Sequence, residues 1–178
     1  MRAATTAILA AALSALAAPA WADLQIYSYE AASPEARALA PTGLSFAFER
    51  HLFGGLDIRE VIQTGERGSA NVRPQSDGAL GPDGLKAALG GRRPAGRIYA
   101  IADGRDGAAF VRAVCPGDDK AWLVIGPLKR FEPLKVQAVG RTGPGPAHLC
   151  ATLEFGFRND WVMPQRAPPK ARFKSNLP

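Results

Sequence analysis

A chain of 178 residues, 47% of them hydrophobic, is long enough to bury the core of one domain, and it shows no internal repeat. Its formal charge of +6 is mostly a property of its ends. Arg2 lies in the leader and Arg166, Lys170, Arg172 and Lys174 follow residue 160 without an acid, which leaves 17 bases against all 16 acids over residues 23–160. A near-neutral globular part argues against a basic nucleic-acid groove.

The first 22 residues read as an export signal: Arg2 is the only charge, an Ala/Leu-rich run follows, and Ala20-Trp21-Ala22 places small residues where a signal peptidase reads. The run is too weakly apolar for a spanning helix, which needs about 20 strongly apolar residues. Cleavage after Ala22 is expected, giving a periplasmic or secreted protein with no membrane span after processing. The expected organisation is a signal peptide over 1–22, a single globular domain over 23–160 and a basic, Pro-containing tail over 161–178.

Along the globular part, Leu24 to Tyr29 reads as a strand, Ser33-Pro34 opens a helix of one or two turns, and Leu44 to Phe53 alternates as a strand. FGGLDIREVIQ carries both a capping-box spacing, Asp57 and Glu60, and a β-branched run after Gly54-Gly55. The hairpin reading is preferred. A three-residue loop would set Arg50 opposite Glu60, Phe48 opposite Ile62 and Leu52 opposite Ile58, satisfying charge and burial together. Residues 65–96 read mostly as loop, with a short helix at Leu85 to Leu89.

IYAIA and AWLVI are apolar on both parities, as strands covered on both faces are. Between them Asp106 can cap a helix in which Phe110, Val111, Val114 and Cys115 share a side, stopped by Pro116 and Gly117. A parallel β-α-β unit over 97–126 is therefore expected, with a helix between antiparallel strands as the alternative. Leu134 to Val139 and Ala151 to Phe157 read as further strands, the last with Leu153, Phe155 and Phe157 on its buried face. The fold class expected is α+β, a mixed sheet with one or two packed helices.

Cys115 and Cys150 are expected to form a disulfide, since an exported chain meets an oxidising compartment. His148 precedes Cys150, which is not the order of a blue-copper site, and a bridged cysteine cannot supply a thiolate; no metal and no cofactor is expected. There is no Gly-x-Ser-x-Gly elbow and no Walker pattern, and Gly104-x-x-Gly107 is only part of a dinucleotide fingerprint.

Asp103 and Asp106, after the first strand of the central unit, are the best enzymatic candidates, as an acid and base pair. Arg92, Arg93 and Arg97, among glycines, are candidate anion contacts, as are Lys170, Arg172 and Lys174 in the tail. The reading that follows is an exported, non-catalytic binding or structural-interaction domain. Its partner would be an envelope protein or an anionic envelope surface reached through the tail, with no nucleic acid. A small envelope enzyme using Asp103 and Asp106 is the alternative, and a metal carrier comes third.

Overall fold

A computed structural model describes residues 24–51, 55–64 and 68–163. The leader and the tail candidates Lys170, Arg172 and Lys174 lie outside the described residues. Within them, eight strands follow one another around a closed barrel: β1 (Leu24–Ala31), β2 (Leu44–Arg50), β3 (Leu56–Gln63), β4 (Ser69–Pro74), β5 (Arg97–Ile101), β6 (Lys120–Ile125), β7 (Leu134–Arg141) and β8 (His148–Met163). Every neighbouring pair is antiparallel, and β8 closes on β1 through the Leu24↔Met163 to Ala31↔Phe155 register. Trp161, Val162 and Met163 therefore belong to the closing strand, beyond residue 160.

The fold is thus not a mixed α+β sheet, and the central unit is not a parallel β-α-β. β5 and β6 pair antiparallel, Arg97↔Ile125 to Ala100↔Trp122, with helix α3 (Arg105–Val114) in the connection. Their apolar character on both parities has another cause. Tyr99, Ile101, Leu123 and Ile125 face the barrel interior, while Ile98, Trp122 and Val124 pack outside against Leu85, Ala88 and Leu89. Those residues belong to the β4–β5 connection, a 3-10 turn (Asp77–Leu80) followed by helix α2 (Gly84–Ala88), which folds back over the barrel's outer face. A helix laid on a closed barrel buries a strand as completely as a parallel sheet does.

The β2–β3 hairpin forms, but not in the expected register. Arg50 pairs with Leu56 and Phe48 with Ile58, across a longer loop, and a bulge leaves Arg59 as an extra residue between Ile58 and Glu60. In this register Glu49 faces Asp57, a like-charge pair, and each carboxylate finds its own cation. Arg59 Nη2 donates to Glu49 Oε2 at 2.7 Å, and Arg97 Nη1 to Asp57 Oδ1 at 3.1 Å.

Helix α1 (Pro34–Leu39) starts as Ser33-Pro34 predicts, with Ser33 Oγ accepting from the Ala36 N–H at 3.1 Å. α1 and α3 lie in connections at the same end of the barrel and send Ala36, Phe110, Val111 and Val114 into the interior cluster. The interior between is filled: Tyr29, Phe46, Phe48 and Phe155 are essentially inaccessible to solvent. Filling by side chains is one of two outcomes open to an eight-stranded barrel, the other being an enclosed ligand.

Candidate functional site

The unplugged end holds the candidate site. A cavity of about 460 Å³ opens there between the ends of β2, β3, β5 and β6, within the size range of small-molecule sites. Leu56, Ile58, Tyr99, Ile125 and Leu128 give it an apolar wall, and Arg50 and Arg97 also line it. The cavity lies beside the place where β3 and β4 part, β4 running on along β5 to Pro74. The β3–β4 ladder stops at Glu60↔Asn71, and β5 extends past its last β4 partner, Tyr99, to Arg97.

The two arginines differ in how they are held. Arg97 Nη1 donates to the Leu56 carbonyl at 2.7 Å and is paired with Asp57. Asp57 also receives His51 Nε2 at 3.0 Å. The hydrogen bond from His51, more than the neighbouring Arg97, holds the Asp57 carboxyl below the ordinary carboxylate range.

Arg50 continues the inward parity of Phe46 and Phe48 to the strand's last residue. Its Nε donates to Gln25 Oε1 at 2.8 Å and its Nη2 to the Tyr27 hydroxyl at 2.7 Å. The guanidinium carbon lies 5.5 Å from the Phe48 ring centroid and 5.9 Å from that of Tyr27, within cation–π range. Among the described residues it pairs with no carboxylate. A fixed cation with neutral partners at the edge of an apolar cavity suits an anion that carries an apolar body. On the wall, burial pushes the Tyr99 phenol up, with the Arg97 charge acting in the opposite direction, so Tyr99 stays a neutral hydroxyl at physiological pH.

Of the sequence candidates among the described residues, only Arg97 lines this cavity. Arg92 and Arg93 stand exposed on the connection before β5. Asp103 lines a separate cavity of about 280 Å³ beside α3, with Asp119 and Lys120. Asp106 borders another, with Arg105, whose Nε lies 3.4 Å from its carboxylate. The two acids therefore open onto different cavities. Nor does Asp106 cap α3: Gly104 occupies that position and Asp106 falls in the first turn. Gly107 serves packing, since a Cβ there would overlap the Ala102 carbonyl oxygen.

Sequence reasoning missed Arg50, Leu56 and Leu128. A charge on the inward parity at the end of a strand was the available signal for Arg50.

Cys115 and Cys150 form the expected disulfide, with Cα atoms 5.3 Å apart. Such a bond points to a non-cytoplasmic or oxidising environment. Among the described residues no helix is long and apolar enough to cross a membrane. No family model matches the chain, and neither curated proteins nor solved structures match it.

Proposed function

We propose that this protein is a non-catalytic binding module that takes a small anion with an apolar body, such as a medium-chain carboxylate, into the open end of its barrel. The observation that carries the reading is Arg50: a residue lining an apolar cavity whose guanidinium is held by Gln25 and Tyr27, without a carboxylate partner among the described residues. The acid head would meet Arg50 and the tail would replace water against half-buried Leu56, with Ile58, Ile125 and Leu128, already nearly closed to water, as the floor beneath it, each newly buried CH₂ contributing about 0.8 kcal/mol. The reading does not require Asp103 or Asp106.

The same proposal has the chain exported to the periplasm with cleavage after Ala22, supported by the character of its leader and by the disulfide. The basic segment after residue 163 would hold the barrel near an anionic envelope surface.

Titration calorimetry with decanoate and decanol tests the binding reading. Decanoate should bind the wild type, and Arg50→Met should weaken it about tenfold, the scale of one charge-assisted hydrogen bond, while leaving decanol unchanged. Equal loss for both ligands, or no binding of either, would overturn the assignment.

A further inference from the structure

At the plugged end of the barrel, four metal-ligating side chains converge. Asp118 is buried, its side chain 3% exposed, in the turn after Cys115. Its Oδ1 accepts from Thr142 Oγ1 at 2.7 Å, which aims Oδ2 at Cys150 Sγ, 3.5 Å away, and at His148 Nε2, 3.3 Å away. His148 Nε2 is itself 4.0 Å from Cys150 Sγ. Cys115 Sγ lies within 4.8 Å of the Asp118 oxygen.

The local backbone is arranged around this cluster. β8 bulges at Cys150, since Ala138 pairs with Ala151 but Val139 with Leu149, and the bulge turns the cysteine out of the alternation of its strand. On β7, Gly140 leaves the space the cluster occupies: a Cβ there would overlap Asp118 Oδ2 and crowd Cys150 Sγ.

We propose that, once the disulfide is reduced, Cys115, Cys150, Asp118 and His148 form a tetrahedral zinc site, so that this end of the barrel is a redox-gated metal site. With zinc to sulfur near 2.3 Å and zinc to nitrogen or oxygen near 2.0 Å, a tetrahedron has N···O edges of about 3.3 Å, S···O and S···N edges of about 3.5 Å and an S···S edge of about 3.8 Å. The His148–Asp118 and Asp118–Cys150 separations already have these values, and His148–Cys150 is about half an ångström long. The two sulfurs must part, and His148, which lies outside the 4.8 Å span shared by Cys115, Asp118 and Cys150, must close on Cys115. Thr142 supplies the outer hydrogen bond that orients a ligating carboxylate.

The chemistry balances with a dithiol as reductant. Two electrons pass from the dithiol, which becomes a cyclic disulfide, to the Cys115–Cys150 bond, giving two thiols. Binding Zn²⁺ then releases their two protons as both become thiolates. An oxidant of the disulfide class takes the two electrons back, reforms the bond and expels the cation.

The test is anaerobic titration of dithiol-reduced, desalted protein with Co²⁺ and then Zn²⁺. One Co²⁺ per chain should bind with thiolate charge-transfer and intense tetrahedral d–d bands, which Zn²⁺ abolishes; the oxidised protein should show neither. Asp118→Asn and His148→Ala should each weaken Co²⁺ binding tenfold or more. If reduction unfolds the chain, Zn²⁺ should restore its far-ultraviolet circular dichroism. Reduced protein that neither binds Co²⁺ at micromolar concentration nor refolds with Zn²⁺ overturns the proposal. So does binding that survives both the Asp118 and His148 substitutions undiminished, because it would then be an unsupported dithiol.

Discussion

Arg97 on β5 reaches Asp57 on β3, Nη1 to Oδ1 at 3.1 Å, across the line where β4 has ended. The pair spans the place beside the cavity where β3 and β4 part, and it spends Arg97 on a carboxylate, whereas Arg50 has none among the described residues. Replacing Asp57 by Asn should release Arg97 toward the cavity. Decanoate affinity should rise severalfold, with a stability loss below about 1 kcal/mol because the pair is partly solvated. Calorimetry and urea unfolding check the two effects.

The pH dependence has a defined sign. The folded-state pKa of Asp57 is lowered, so its contribution is fully present above the unfolded carboxylate value near 3.9 and is lost as pH falls through the folded value. Between about pH 4 and 2 the wild type should lose more stability than Asp57→Asn. Parallel acid unfolding curves for the two proteins would contradict the pairing.

Leu89→Ala should cost about 2 to 5 kcal/mol, the range for a buried leucine, although it lies just after a five-residue helix in a long connection. The reason is that Leu89 is 1% exposed on the outer face of the barrel, in the cluster with Trp122 and Val139. A loss under about 0.5 kcal/mol, as for an ordinary surface substitution, would mean that the excursion does not cover the strands. Chemical denaturation measures it.

Helix propensity alone would have Gly107→Ala stabilise α3 by roughly 1 kcal/mol. The contact with the Ala102 carbonyl reverses the sign: the added methyl group forces helix and strand apart, at a cost of about 1 to 3 kcal/mol. A raised melting temperature for this variant would contradict the packing described.

How much of this was legible in the sequence follows from which signals are local. The helix start at Ser33-Pro34, the alternation of Leu153 and Phe155, the β2–β3 hairpin and the disulfide all rest on neighbouring residues or on the compartment. The closed barrel does not. Apolar residues on both parities of β5 and β6 report burial on both faces without saying what covers them, and a parallel sheet and a helix-covered barrel read alike. β4 was lost among loop residues because only Ala70 and Val72 of its six residues face inward. The register of β2 on β3 depended on a bulge at Arg59, whose partner charges come from β2 and, for Asp57, from β5, a strand far along the chain. The site was correspondingly half visible: Arg97 stood out among glycines, whereas Arg50 acquires meaning only once Tyr27 and Gln25 of β1 are known to lie beside it.

The most direct test of the binding account is a nuclear magnetic resonance titration of the ¹⁵N-labelled protein with decanoate. Shifts should concentrate on Arg50, Leu56, Ile58, Arg97, Tyr99 and Leu128, with the Arg50 side-chain Nε–H among the largest. Shifts concentrated instead on Asp103, Asp119 and Lys120 beside α3, or none at millimolar ligand, would contradict it.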